Sequence, residues 1–100
     1  MKGKIIILMK DELEKKIHEI ARNGLAKIFW TTLAEVKKSY DKIETETVLM
    51  DTLTAFTPYR KKQFVKAATW LAEKGKTVYI AARPKDKWLF KAFGQEQNTL

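Results

Sequence analysis

Apolar residues along the chain fall into short continuous runs that are separated by longer stretches with helical spacing. Four such runs lie near residues 4–9, 26–31, 47–51 and 77–82. They are rich in β-branched and aromatic side chains, and they show little of the polar alternation of a half-exposed strand. The pattern therefore predicts four strands that are buried on both faces, as in a parallel sheet.

The stretches between these runs repeat apolar residues every three or four positions, which indicates amphipathic helices. The predicted helices lie near residues 12–23, 33–42, 58–74 and 87–93. Glycine follows three of them, at a position that favours it. The predicted helix starts carry residues that are favoured as N-caps, which are Asp11, Thr32, Thr57 and Asp86.

Strictly alternating strands and helices predict a small three-layer α/β/α domain, with about four mostly parallel strands and four helices. Right-handed crossovers predict a small doubly wound sheet, for which flavodoxin-like and half-Rossmann strand orders are candidates; one sequence does not fix the order. Residues 1–94 are predicted to form this one domain, and the polar residues 95–100 a frayed tail. The residues predicted to be largely buried are Ile5, Ile6, Ile7, Ile28, Val48, Leu49, Val78 and Ile80.

The composition excludes several kinds of chemistry. The chain has no cysteine and a single histidine, His18. Disulfides, thiolate metal sites, cysteine catalysis and histidine-based structural zinc sites are therefore excluded, and we expect no metal and no cofactor. The run Ile5–Met9 is too short for a signal-peptide core or a membrane span. A cytoplasmic protein with no membrane partner is the expectation.

Positive charge is concentrated in the second half of the chain. Residues 1–57 hold ten basic and nine acidic side chains, whereas residues 58–91 hold ten basic and two acidic ones. The second segment therefore carries the whole net charge of +8 and is the expected contact for an anionic partner. The predicted anion-binding residues are Arg60, Lys61, Lys62, Lys66, Arg83, Lys85, Lys87 and Lys91.

Aromatic residues interleave with these charges. Tyr59 and Trp88 are candidates for stacking on nucleic-acid bases, and Phe90 lies beside them in sequence. Three cations in the first turn of a helix, residues 60–62, oppose the helix dipole, which favours an external anion there. The alternative is a solvated lysine-rich surface above a core that contains these aromatic residues.

Ligands of open parallel sheets bind beyond the carboxyl ends of the strands. Two cations, several hydroxyl groups and one carboxylate at those ends would suit a phosphate-bearing ligand, and Asp51 is the one catalytic candidate. The alternative is that the threonines are helix caps and the lysines are solvated. The residues at the predicted strand ends are Lys10, Thr31, Thr32, Asp51, Thr52, Thr54, Arg83 and Lys85.

The stretch Thr47–Gly94 resembles, in layout, a strand–helix–strand of thymidine kinases, in which an aspartate ends an apolar strand as Asp51 does. No glycine-rich phosphate loop with Gly-Lys-Ser/Thr accompanies it. Thr52 stands where those enzymes have a glutamate, and Leu53 stands where dehalogenase-type phosphatases have a second aspartate. The resemblance is therefore one of layout, and no family is assigned.

These observations favour a non-enzymatic domain that binds DNA or RNA through its basic segment. One alternative is a regulatory module that docks on an acidic protein, or on a second copy of the chain, through the same residues. A further alternative is a small enzyme for a phosphate-bearing ligand, centred on Asp51 and Arg83.

Overall fold

The computed structural model describes residues 3–28, 32–52 and 57–94. Its four strands form one parallel sheet and are β1 (Lys4–Met9), β2 (Ala26–Ile28), β3 (Thr47–Asp51) and β4 (Thr77–Ala82). The helices are α1 (Lys10–Ile20), α2 (Leu33–Ser39), α3 (Pro58–Glu73) and α4 (Trp88–Ala92), with 3-10 turns at Tyr40–Lys42 and Pro84–Asp86. The predicted α/β fold is confirmed. The predicted strand residues 29–31 and the predicted tail 95–100 lie outside the described residues.

The strand order, which the sequence left open, is β1-β4-β3-β2 and is neither the flavodoxin-like nor the half-Rossmann order. β1 is at one edge of the sheet and β2 at the other, so the first crossover spans the whole sheet. α1 crosses the sheet on one face, and the chain returns through β3 and β4 with α2 and α3 on the opposite face. Because the chain crosses the sheet on one face and returns on the other, all three β-α-β connections have the same handedness, as the chirality of such units requires.

Two of the four predicted helix caps are confirmed. The hydroxyl of Thr32 accepts from the backbone N–H of Glu35, and that of Thr57 accepts from the N–H of Arg60, each at 3.2 Å. Asp11 is not a cap, because α1 begins at Lys10 directly after β1 and its N-cap residue makes no side-chain hydrogen bond. Asp86 does not cap α4 either; it ends the 3-10 turn before that helix.

The main core lies between the sheet and α2, α3 and α4. Phe64 and Leu71 of α3 are fully buried against Val48, Met50 and Ile80 of the central strands. A smaller cluster lies under α1, where the buried residues are Leu8, Leu13, Leu49 and Ala81.

Burial is confirmed for the central strands and is incomplete at the edges. Val48, Leu49, Val78, Ile80 and Ile7 are buried as predicted. The prediction of near-complete burial is wrong for three other isoleucines, which belong to the edge strands β1 and β2 and are half-buried; these are Ile5, Ile6 and Ile28. No helix within the described ranges is long and apolar enough to cross a membrane.

Candidate nucleic-acid interface and a pocket at the strand ends

The first turn of α3 presents the predicted basic triplet. Thr57 caps the helix and Pro58 occupies its first position, which fixes where the turn begins. The first turn contains no acidic residue, so its exposed N–H groups and the side chains of residues 60–62 form a uniformly positive end.

α4 lies directly against this end of α3. The Nζ atom of Lys61 is 5.2 Å from the centre of the Trp88 ring, and the rings of Phe64 and Trp88 meet edge to face at 6.5 Å. This contact is possible because β3 and β4, which precede the two helices, are neighbours in the sheet. The two basic segments that the sequence singled out therefore adjoin one another.

We call these residues together the α3–α4 basic surface. Five of its eight side chains are exposed, and Arg60, Lys61 and Arg83 are half-buried. Asp86 is the acidic residue nearest to them in sequence, and its carboxylate pairs with Arg83 at 2.6 Å, so it offsets the charge of that one residue. The α3–α4 basic surface consists of Arg60, Lys61, Lys62, Lys66, Arg83, Lys85, Lys87 and Lys91.

The two predicted stacking residues have different surroundings. Tyr59 is 62% exposed and is the one large hydrophobic side chain of the described residues that is exposed. It shares the outward stripe of α3 with Lys62 and Lys66, at spacings of three and seven residues. Trp88 is half-buried and already packs against Lys61 and Phe64. Tyr59 is therefore the more accessible stacking surface.

Arg83 forms an internal ion pair with Asp86. Its Nε and Nη2 atoms donate to the carboxylate at 2.6 and 3.2 Å, and its backbone N–H donates at 3.2 Å. Burial raises the pKa of Asp86, but the hydrogen bonds and the charge of Arg83 outweigh this and hold that pKa below its ordinary value. This pair anchors the turn between β4 and α4, so the guanidinium already has a structural role.

Asp51 lies on the opposite face of the sheet, beneath α1. The residue is only 5% exposed, and its nearest cation is the ammonium of Lys10, 3.6 Å from Oδ1. It lines a pocket of about 150 Å³ together with apolar side chains of α1 and of the central strands. Glu14 and Lys27 also line this pocket, whereas Arg83 does not.

The remaining strand-end candidates are dispersed. Thr32 caps α2, and the fully buried hydroxyl of Thr52 donates to the carbonyl oxygen of Ala81 at 2.6 Å. Lys85 is exposed beyond β4. Thr31 and Thr54 lie outside the described residues. Across the part of the chain that is described, no three histidine, cysteine or carboxylate side chains come together as a metal site would need.

Sequence reasoning named Asp51 and Lys10 but missed the rest of the pocket. Its apolar lining, Leu13, Ile17, Leu49 and Ala81, looks like ordinary core in the sequence. The available signal was the two-residue period of β3, which places Leu49 and Asp51 on one face.

The structure thus defines a small parallel α/β domain with a pocket between α1 and the sheet. Comparisons of the chain with protein-family models, with curated proteins and with solved structures give no match.

Proposed function

We propose that this domain binds single-stranded DNA or RNA, without catalysis, through the α3–α4 basic surface. The observation that carries the proposal is the contact between Lys61 and Trp88, 5.2 Å from ammonium to ring centre. It brings the start of α3 beside α4, so cations from two separate parts of the sequence can meet one phosphate backbone. Clustered positive charge of this kind is the electrostatic footprint of nucleic-acid binding.

Tyr59 supports a single-stranded rather than a duplex partner. An exposed aromatic ring beside Lys62 and Lys66 offers a flat surface to an unpaired base while the ammonium groups meet the phosphates. Stacking of this kind contributes about 1–3 kcal/mol per base and tolerates any base, because every base has an aromatic face. We therefore expect binding with little sequence preference.

Salt-dependent binding to oligonucleotides tests this function. Fluorescence anisotropy with labelled oligothymidylate, oligouridylate and a DNA duplex would give the affinity of each at a series of salt concentrations. Single strands should bind more tightly than the duplex. The logarithm of their affinity should fall with the logarithm of salt by about 0.7 per phosphate contact.

A matched pair of double variants locates the interface. Lys62→Gln with Lys66→Gln removes two exposed cations four residues apart, and Lys38→Gln with Lys42→Gln removes another exposed pair at the same spacing. The first pair should weaken binding and lower the salt slope by about 1.4, which corresponds to the loss of two phosphate contacts at about 0.7 each. The second pair should change neither. Equal effects of both pairs would show that the charge acts without a defined site.

Absence of binding to every oligonucleotide at low salt would contradict the proposal. The same basic surface would then be assigned to an acidic protein partner or to self-association. Sedimentation of the protein alone, and with polyglutamate as an acidic polypeptide, distinguishes these two alternatives.

A further inference from the structure

We propose that the pocket beneath α1 binds a small amphipathic amine, whose ammonium group replaces that of Lys10 at the Asp51 carboxylate. This site is separate from the α3–α4 basic surface, because α1 covers the opposite face of the sheet. The proposal therefore goes beyond nucleic-acid binding and does not depend on it.

The central observation is an unpartnered carboxylate oxygen. Oδ1 of Asp51 is closed off from solvent and has no hydrogen-bond partner. The Lys10 ammonium, at 3.6 Å, neutralises the charge but is too far for a hydrogen bond. A buried carboxylate oxygen without a donor is costly, so a ligand that supplies a donor gains from satisfying it.

The charges around the pocket favour a cationic ligand. Lys10 and Lys27 balance Asp51 and Glu14, so the exchange of one ammonium for another preserves neutrality. An anionic ligand would leave Oδ1 without a donor and would add a second negative charge beside it. Lys10 can leave at small cost, because its side chain is already 35% exposed and can extend into water.

The remainder of the pocket suits an apolar body. Leu13 and Ile17 of α1 face Leu49 and Ala81 of the sheet across the pocket. A cavity of about 150 Å³ is close in size to an engineered protein cavity that holds benzene. The ligand class is therefore a primary amine with a small ring or a short branched chain.

Three probes with the same ring and different charge test the proposal. Benzylamine, benzyl alcohol and benzoate would be titrated into ¹⁵N-labelled protein, and backbone amide shifts followed by NMR. Benzylamine should give saturable shifts at Leu13, Leu49 and Ala81, with a dissociation constant in about the millimolar range for so small a ligand. The alcohol and the carboxylate should bind about tenfold more weakly or not at all, since only the amine replaces the positive charge of Lys10 beside the Asp51 carboxylate.

Two substitutions should change the affinity for benzylamine in opposite directions. Asp51→Asn keeps the shape of the side chain and should remove the preference for the amine. Lys10→Met removes the competing ammonium and should tighten benzylamine binding severalfold. Asp41→Asn alters an exposed carboxylate in the 3-10 turn after α2 and should have no effect.

The expected pattern is a preference for benzylamine that Asp51→Asn abolishes and Lys10→Met strengthens. Equal binding of benzoate, unchanged affinity in Asp51→Asn, weaker affinity in Lys10→Met, or no saturable shifts at the pocket would each overturn the proposal. Lys10→Met still tests the proposal where Asp51→Asn fails to fold, because the partly exposed Lys10 side chain belongs to neither buried cluster.

Discussion

The two faces of the sheet are covered very unequally. α2, α3 and α4 cover one face, where thirteen residues of the described chain form a single buried cluster. α1 alone covers the other face, where four buried residues form the cluster and the flanking Ile6, Ile17 and Tyr79 are half-buried. Three helices bury more of the apolar side chains of the sheet than one helix does, so the larger cluster lies on the three-helix face.

From this difference in helix coverage we infer which parts of each face stabilise the fold and which parts can bind a ligand. On the three-helix face the apolar side chains interdigitate, and the outward sides of α3 and α4 are available to carry charge. On the one-helix face the α1 layer leaves a pocket between Leu13 and the strand residues Leu49 and Asp51. Function on the first face is therefore expected on the outer surface of the helices, and on the second face between helix and sheet.

We expect the largest difference in stability between the two faces when one leucine on each face is replaced by alanine. Leu71→Ala should destabilise the domain by about 2–5 kcal/mol, toward the upper end, because Leu71 is fully buried in the larger cluster. Leu13→Ala should cost less, since the adjoining pocket already lies open beside it. Chemical denaturation of both variants would measure this. Equal losses would mean that the two faces contribute equally to stability.

The local elements of this fold were predictable, and the order of the strands was not. Runs of apolar residues located β1, β3 and β4, because burial on two faces leaves a strong compositional signal. The position of β1 beside β4 depends on α1 crossing the whole sheet, and no local pattern encodes the length of that crossing. Gly3 shows the same limit. Any side chain there would collide with the backbone carbonyl of Lys76, a contact that no local sequence pattern indicates.

The candidate sites were predictable in part for a similar reason. Charge counting singled out the residues of the α3–α4 basic surface as candidates, since a count of charges requires no knowledge of geometry. It could not show that Arg83 pairs with Asp86, or that the partner of Asp51 is Lys10. The Lys10–Asp51 pair depends on the strand order, whereas the Arg83–Asp86 pair depends on the local conformation of the turn after β4.

Asp86→Asn should cost about 1.5–3 kcal/mol at neutral pH, the usual contribution of hydrogen bonds to a charged group. Folding lowers the pKa of this carboxyl, so the stability it supplies is present above the unfolded pKa of about 3.9 and is lost as pH falls through the folded pKa. Denaturation at a series of pH values should show wild type and variant converging below about pH 4. If the difference in free energy of unfolding between wild type and variant stays constant down to acid pH, the ion pair with Arg83 does not stabilise the turn before α4. Asp41→Asn, at an exposed carboxylate, provides the control.

Among the substitutions considered, the triple substitution in the first turn of α3 should have the smallest effect on stability and the largest effect on nucleic-acid binding. Replacing Arg60, Lys61 and Lys62 together by glutamine should change the free energy of unfolding by about 0.5 kcal/mol or less per site, because exposed and half-exposed charges contribute little. The loss of the Lys61 ammonium from the Trp88 ring should account for most of what is lost. Binding to oligothymidylate and to oligouridylate should both weaken, and the salt slope should fall by about 2, which is three phosphate contacts at 0.7 each. Anisotropy and chemical denaturation on the same preparation would measure both quantities. A large loss of stability with unchanged binding would place α3's first turn in the core of the three-helix face rather than on its outer surface.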